Sequence, residues 1–189
     1  MEKKEDQRIR LSKKLIEDSF IDLLVEKPLL KINVKEVCEK ANVNRSTFYA
    51  HYQDILDLYE KIKEKITESI KNYLDNSFDV DKNMDFYKEI FKFFEDNQQV
   101  VKVFLGLQVD NDFINSLLSM SEDKVFSVYK KKYFLINEKK FREYFTFASH
   151  GTIGIINKWI TNGMREPYQE IAKTCESISI KGIKYLYKL

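Results

Sequence analysis

Five glycines and two prolines in 189 residues leave this chain few places for tight β-turns. That scarcity argues against an all-β architecture and for an all-α fold, and Lys, Glu, Leu, Ile and aromatic residues dominate instead. The length suits one or two modest domains, enough to bury a core. With 43% hydrophobic and 33% charged residues, the chain is too apolar for disorder and too charged for a membrane bundle. No apolar run approaches the ~20 residues that span a bilayer. The start, MEKKEDQRIR, lacks the apolar centre of a signal peptide, so a cytoplasmic location is expected. Cys38 and Cys175 lie far apart without ligand spacing, which speaks against a disulfide framework and against a metal site.

The formal net charge of +2 looks too small for a nucleic-acid partner, but charge acts by location. Residues 1–52 hold 11 basic and 9 acidic side chains, so the whole excess belongs to the first quarter of the chain and the remainder is neutral.

That first quarter reads as three short helices. From Arg8 to Val25, Ile9, Ile16, Phe20, Leu23 and Leu24 form a helical stripe that Pro28 ends. Asn33 then caps a second helix over Val34–Lys40, with Glu36 reaching back to the cap and Ile32 and Val37 spaced as a hydrophobic staple. Asn44 is placed to cap a third, with Val43 and Phe48 as its staple. Only Ala41-Asn42-Val43 separates these helices, so they must cross steeply. The turn needs a residue at positive φ, and Asn42 is the one that tolerates it.

In the third helix Phe48 and Tyr52, at i and i+4, face the core and leave Arg45, Ser46, Tyr49 and His51 outward. An arginine and a small hydroxyl suit base edges in the major groove, whereas Thr47, Tyr49 and His51 can donate to phosphates. Lys35 on the second helix can reach either. The polar face of an ordinary helical bundle reads the same way from chemistry alone.

The stretch from Ile32 to Tyr52, INVKEVCEKANVNRSTFYAHY, resembles the helix-turn-helix of the TetR/AcrR family of bacterial transcriptional regulators. Its ending, Thr-Phe-Tyr-x-His-Tyr, is the most specific part. The resemblance implies a DNA-binding domain over residues 1–53 and an effector-binding and dimerisation domain over 54–189. It implies DNA contacts at Lys35, Asn44, Arg45, Ser46, Thr47, Tyr49 and His51. Two positions depart from the pattern: Asn42 stands where a glycine is usual, and Ile55 where many members carry a lysine. The second departure implies one phosphate contact fewer per subunit.

Beyond Asp54, which can cap a fourth helix through Ile70, residues 76–83 read as a loop. Helices are predicted near 84–96, 98–107, 112–119 and 122–133. Asn137 caps a helix to Thr161 that Asn162-Gly163 stops, and Pro167 opens a final helix reaching almost to Leu189. The penultimate helix is apolar around much of its girth and must be covered on two sides. In the resembled family these last two helices build a four-helix dimer interface, which implies contacts at Gly151, Gly154, Ile155, Trp159, Ile178, Gly182 and Tyr185. Glycines that merely pack inside one chain are the alternative.

Phe86, Phe93, Phe94, Phe104, Phe126, Tyr129, Tyr133 and His150 fall where the family forms its effector pocket. Phe104, Tyr129 and His150 are the candidates, although aromatic residues at helical spacing are usually core. Ser149 and His150 are adjacent on a helix and point apart, and no phosphate-binding loop, dinucleotide fingerprint or metal spacing occurs, so neither an enzyme nor a cofactor is expected. The resemblance thus implies a cytoplasmic, nucleoid-associated homodimer that binds a palindromic DNA operator. It also implies a repressor released by a small-molecule effector whose identity the sequence leaves open. A family-like co-regulator that binds a protein or ligand without operator DNA is the alternative.

Overall fold

In a computed structural model of the chain, which describes residues 2–76, 83–107, 110–132, 136–183 and 186, the described residues are helical with no strand. The helices are α1 (Glu2–Glu26), α2 (Val34–Ala41), α3 (Arg45–Tyr49), α4 (Ile55–Asn76), α5 (Asn83–Asp96), α6 (Gln98–Val101), α7 (Asn111–Lys132), α8 (Glu138–Thr161) and α9 (Tyr168–Ile183). One turn of 3-10 helix occupies Leu29–Lys31, and α6 runs on as a π-helical segment over Lys102–Leu107.

The short helices start and stop as local chemistry dictates. The Glu36 amide donates to Asn33 Oδ1 and the Asn33 amide to Glu36 Oε2, both at 3.1 Å, which completes the capping box. Asn42 ends α2 in the left-handed region at φ 52°, and the Val43 amide donates to the Cys38 carbonyl at 3.0 Å. Asn44 occupies the cap position of α3 but makes no side-chain cap hydrogen bond, so its amide stays available. Asn137 caps α8 through the Lys140 amide, and Gly163 follows its end at φ 81°.

Several predicted elements differ. The segments 112–119 and 122–133 are one continuous helix, α7. Ser121 sits at the expected break, and its hydroxyl donates to the Leu117 carbonyl of the same helix at 2.7 Å. Ile9 leaves the α1 stripe: it is half exposed, at the edge of a groove between α1 and the turn from α2 into α3. The last described turn of α9 ends at Ile183, and the predicted continuation toward Leu189, like the loop after Asn76, lies mostly outside the described residues.

Phe20, Phe48 and Tyr52 are fully buried at the centre of α1–α3. Their cluster does not close within residues 1–53. It continues through Leu58, Tyr59 and Ile62 of α4, Val103 and Phe104 of the π segment, and Phe113 of α7. The Tyr59 and Phe104 rings stack at 5.4 Å. Polar ties follow the same seam. The Tyr52 hydroxyl donates to Glu17, which Lys65 of α4 also holds at 2.7 Å. Asp110 caps α7 through the Phe113 amide and accepts from Lys63 at 3.1 Å and from the Tyr59 hydroxyl at 3.3 Å. A second cluster joins Phe91, Ile156, Trp159 and Cys175, packing α5 against α8 and α9.

Burial opposes the charge of Asp110, but the Phe113 amide, Lys63 and Tyr59 outweigh it and hold its carboxyl below the ordinary value of 3.8. A depressed carboxylate stabilises the fold fully above its unfolded pKa, and that contribution is lost as pH falls through the folded value. Denaturation of Asp110→Asn, which keeps the cap and removes the titration, should show a deficit against the parent at neutral pH that shrinks below about pH 3.8. The Asn42 turn gives a second test by urea denaturation. Asn42→Val should cost roughly 1–2 kcal/mol, whereas Asn42→Gly should stay within about 0.5 kcal/mol of the parent.

Candidate nucleic-acid interface

Helix α3 is five residues long and cannot hold itself. Phe48 is fully buried beneath it and meets the Tyr52 ring at 5.6 Å, so the opposite face is forced outward. Arg45 and Ser46 are exposed there, and Tyr49 is 57% exposed with its ring edge-on to Phe48 at 5.6 Å. A shallow groove runs between α1 and the turn from α2 into α3. Lys35, Asn44, Arg45, Ser46, Thr47 and His51 all line it. Six of the seven sequence-derived residues therefore share one concave surface, and Tyr49 stands exposed beside it on the same short helix.

Polar partners sort these residues by freedom. Lys35 leans toward Glu39 one turn on at 3.7 Å and keeps most of its side chain in solvent. Arg45 forms no ion pair among the described residues, which leaves its guanidinium fork open. His51 is more constrained: Ser12 Oγ of α1 lies 3.0 Å from its Nε2, and the same hydroxyl donates to the Ile9 carbonyl at 2.9 Å. When the Ser12 hydroxyl turns from Ile9 to donate to Nε2, the ring carries its proton on Nδ1, the donor that a phosphate needs. The acids of this region are largely engaged. Lys27 holds Glu36, and Lys40 holds Glu26 at 2.9 Å and Asp22 at 3.8 Å. Hydrogen bonds from Lys27 and the Asn33 amide push the Glu36 carboxyl below its usual range.

Among the groove residues that the sequence did not single out are the two polar ones of α1, Arg8 and Ser12. Their spacing of four residues on one helix face was the available signal. Ile55, the departure from the family pattern, packs half-buried against the α1–α3 core rather than standing toward a phosphate. Lys61, a turn and a half further along α4, is committed to the His51 carbonyl and to Asp57.

In the C-terminal half, a cavity of about 230 Å³ opens between α4, α5, α7, α8 and the π segment. Phe94, Phe104 and Tyr129 line it. His150 does not: it is exposed on α8 and bonds back to the Thr146 carbonyl at 2.9 Å. Phe126 packs on Phe141 at 5.1 Å instead, and Tyr133 and the side chains of Phe86 and Phe93 lie outside the described residues.

The expected dimer residues divide in two. Gly151 and Gly154 face open space, Ile178 is half exposed, and Phe147 on α8 is 73% exposed. Trp159 is instead buried at 2%, donating from its indole to the Glu166 carbonyl at 2.9 Å, because α5 covers that side of α8 with Phe91. Ile155 packs beside it in the same cluster. Gly182 makes a close approach within the chain, since a Cβ there would meet the Tyr144 ring at 3.0 Å. Tyr185 lies outside the described residues.

Residues 81–181, just over half of the chain, match the TetR-type family model described as a transcriptional regulator C-terminal region. This chain belongs to the TetR family of transcriptional regulators. A solved TetR transcriptional regulator from Streptococcus agalactiae is 26% identical, with 95% of this chain and 99% of that one covered at a TM-score of 0.64. The Bacillus subtilis regulator FadR, solved in complex with stearoyl-CoA, shares the fold at 14% identity, TM-score 0.68, with 89% and 98% covered. An uncharacterized HTH-type regulator of Bacillus subtilis, YxbF, is 28% identical over 74 residues, 39% of this chain but only 20% of that protein's length. DNA binding and transcriptional regulation come with membership of this family, which is not an enzyme family. No helix among the described residues is long and apolar enough to cross a membrane.

If Ser12 aims the His51 ring, Ser12→Ala should weaken binding of any duplex several-fold without altering base preference. Gel shift on specific and random DNA reads both.

Proposed function

We propose that this TetR-family regulator is a homodimeric operator-binding repressor without catalytic activity, whose head, residues 1–53, is released from DNA by a small molecule held in the body, residues 54–189. The observation that carries the reading is the burial of Phe48 and Tyr52. It turns Arg45, Ser46 and Tyr49 outward from a groove that also holds Lys35 and Arg8. Arg45 forks onto a guanine edge, Ser46 and Asn44 complete base contact, and Lys35, Thr47, Tyr49 and His51 hold phosphates. Two heads on a palindrome sit one helical turn apart, about 34–36 Å.

The dimer forms through α8 and α9, where Phe147, Gly151 and Gly154 make an uncovered stripe on α8 and Ile178 is half exposed on α9. Gly151 and Gly154 leave room for a second helix to approach closely. The effector site is the cavity of α4–α8, a reading supported by the stearoyl-CoA complex of the structurally similar FadR. Two cavity walls, Phe104 and Phe113, also belong to the cluster that completes the head. A ligand that moves them disturbs Tyr59 and the seat of α4, which favours a state with wrongly spaced heads.

Arg45→Ala should cost about 1–3 kcal/mol per half-site and flatten the base preference at one position. Lys35→Ala should weaken all sequences alike and lower the salt slope by about one charge per subunit. Binding isotherms across salt, on the operator and on scrambled duplex, separate these outcomes. Phe147→Glu should convert the dimer to a monomer by light scattering at micromolar concentration and weaken operator binding with it.

A further inference from the structure

The chemistry of the cavity wall narrows its occupant. Helix α4 supplies Ile66 and Ile70, α7 supplies Leu117 and Val125, and aromatic rings fill much of the rest. No lysine, arginine, histidine, aspartate or glutamate is among the described residues that line it. Its polar atoms are hydroxyls, and most are already engaged. Ser121 donates to the Leu117 carbonyl, and Tyr144 to the Ser179 carbonyl at 3.1 Å. Tyr87 shares a hydrogen with Ser179 at 2.5 Å, and Thr152 reaches both Tyr87 and the Cys175 thiol. All of these but Ser121, which is on α7, gather where α5, α8 and α9 meet. Burial pushes the Tyr87 hydroxyl up and the Cys175 thiol to about 11, so both stay neutral.

A buried carboxylate or ammonium needs a partner that the described residues of this wall do not offer, and stranding either is prohibitive. A neutral hydroxyl or amide group loses little, because a lone pair of the Thr152 hydroxyl can accept its hydrogen. Size bounds the ligand as well. An apolar cavity of ~150 Å³ holds benzene, so about 230 Å³ holds on the order of ten heavy atoms.

We infer that the effector is a small uncharged molecule, an aromatic or branched hydrocarbon body of about ten heavy atoms carrying one hydrogen-bond donor. It lies with that donor at Thr152 and its body against Phe104 and Phe113. The inference rests on the effector-site reading above.

Three probes of one shape test it: 3-phenylpropan-1-ol, 3-phenylpropanoate and 3-phenylpropylammonium, titrated into the full-length protein by calorimetry at pH 7. The alcohol should bind at least 10-fold more tightly than either ion. Thr152→Val, which keeps the volume and removes the hydroxyl, should lose most of that affinity with helix content unchanged. Ala148→Phe, which fills the cavity, should abolish binding, and unchanged circular dichroism shows that the variant has folded. An ion binding as tightly as the alcohol, or no binding by any of the three, overturns the inference. Operator release is measured separately by gel shift with the alcohol present. An alcohol that binds as expected and leaves operator affinity intact refutes the effector-release reading and leaves the ligand class standing.

Discussion

The first fifty residues are too few to hold together as a unit, and this constraint shapes the rest of the molecule. Three helices, one only five residues long, bury too small a fraction of their surface to stand alone. Leu58, Tyr59 and Ile62 of α4 supply part of what is missing, and Phe104 and Phe113 supply more from over forty residues further along. The Tyr59–Phe104 stack is therefore both a structural necessity and the point where two halves of the chain share side chains. The cluster that closes over α1–α3 is thus built in part by residues of α4, the π segment and α7.

The π segment is what lets Phe104 serve both sides. Six residues with wider turns shift the side-chain register after α6, and this segment packs against both α1 and α8. Val103 and Phe104 are buried in consequence, with Phe104 between the Tyr59 ring and the cavity. Asp110 fixes the far end of the connection, tying the start of α7 to Lys63 and Tyr59 of α4.

Features set by neighbouring residues were legible in the sequence. The Asn33–Glu36 box, the left-handed Asn42 and the Asn137 cap each depend on three or four adjacent positions, and the helix starts followed from them. The outward face of α3 was legible too, because Phe48 and Tyr52 can only point inward. What depends on distant elements was not. A stripe on α8 shows that two sides need cover but not which helix covers which, so Trp159 and Ile155 belong beneath α5 while Phe147 and Gly151 stay bare. His150 and Thr152 differ by two positions, about 200° around the helix, and only the packed bundle shows that Thr152 faces the cavity. Arg8 and Ser12 carried no local signature beyond their spacing and became visible only when α1 closed over the turn.

Helix α4 has a mechanical consequence. Ile55 and Ile66 both pack on the head cluster, Ile66 also lines the cavity, and the eleven steps from one to the other span about 16 Å of rod. A tilt of about five degrees around the Ile66 end carries Ile55 through roughly 1.4 Å. Base-edge hydrogen bonds tolerate only about half an ångström. On the proposed reading, in which Arg45 meets a base edge, the rod acts as a lever: a small adjustment at its cavity end becomes a displacement that such a contact cannot follow.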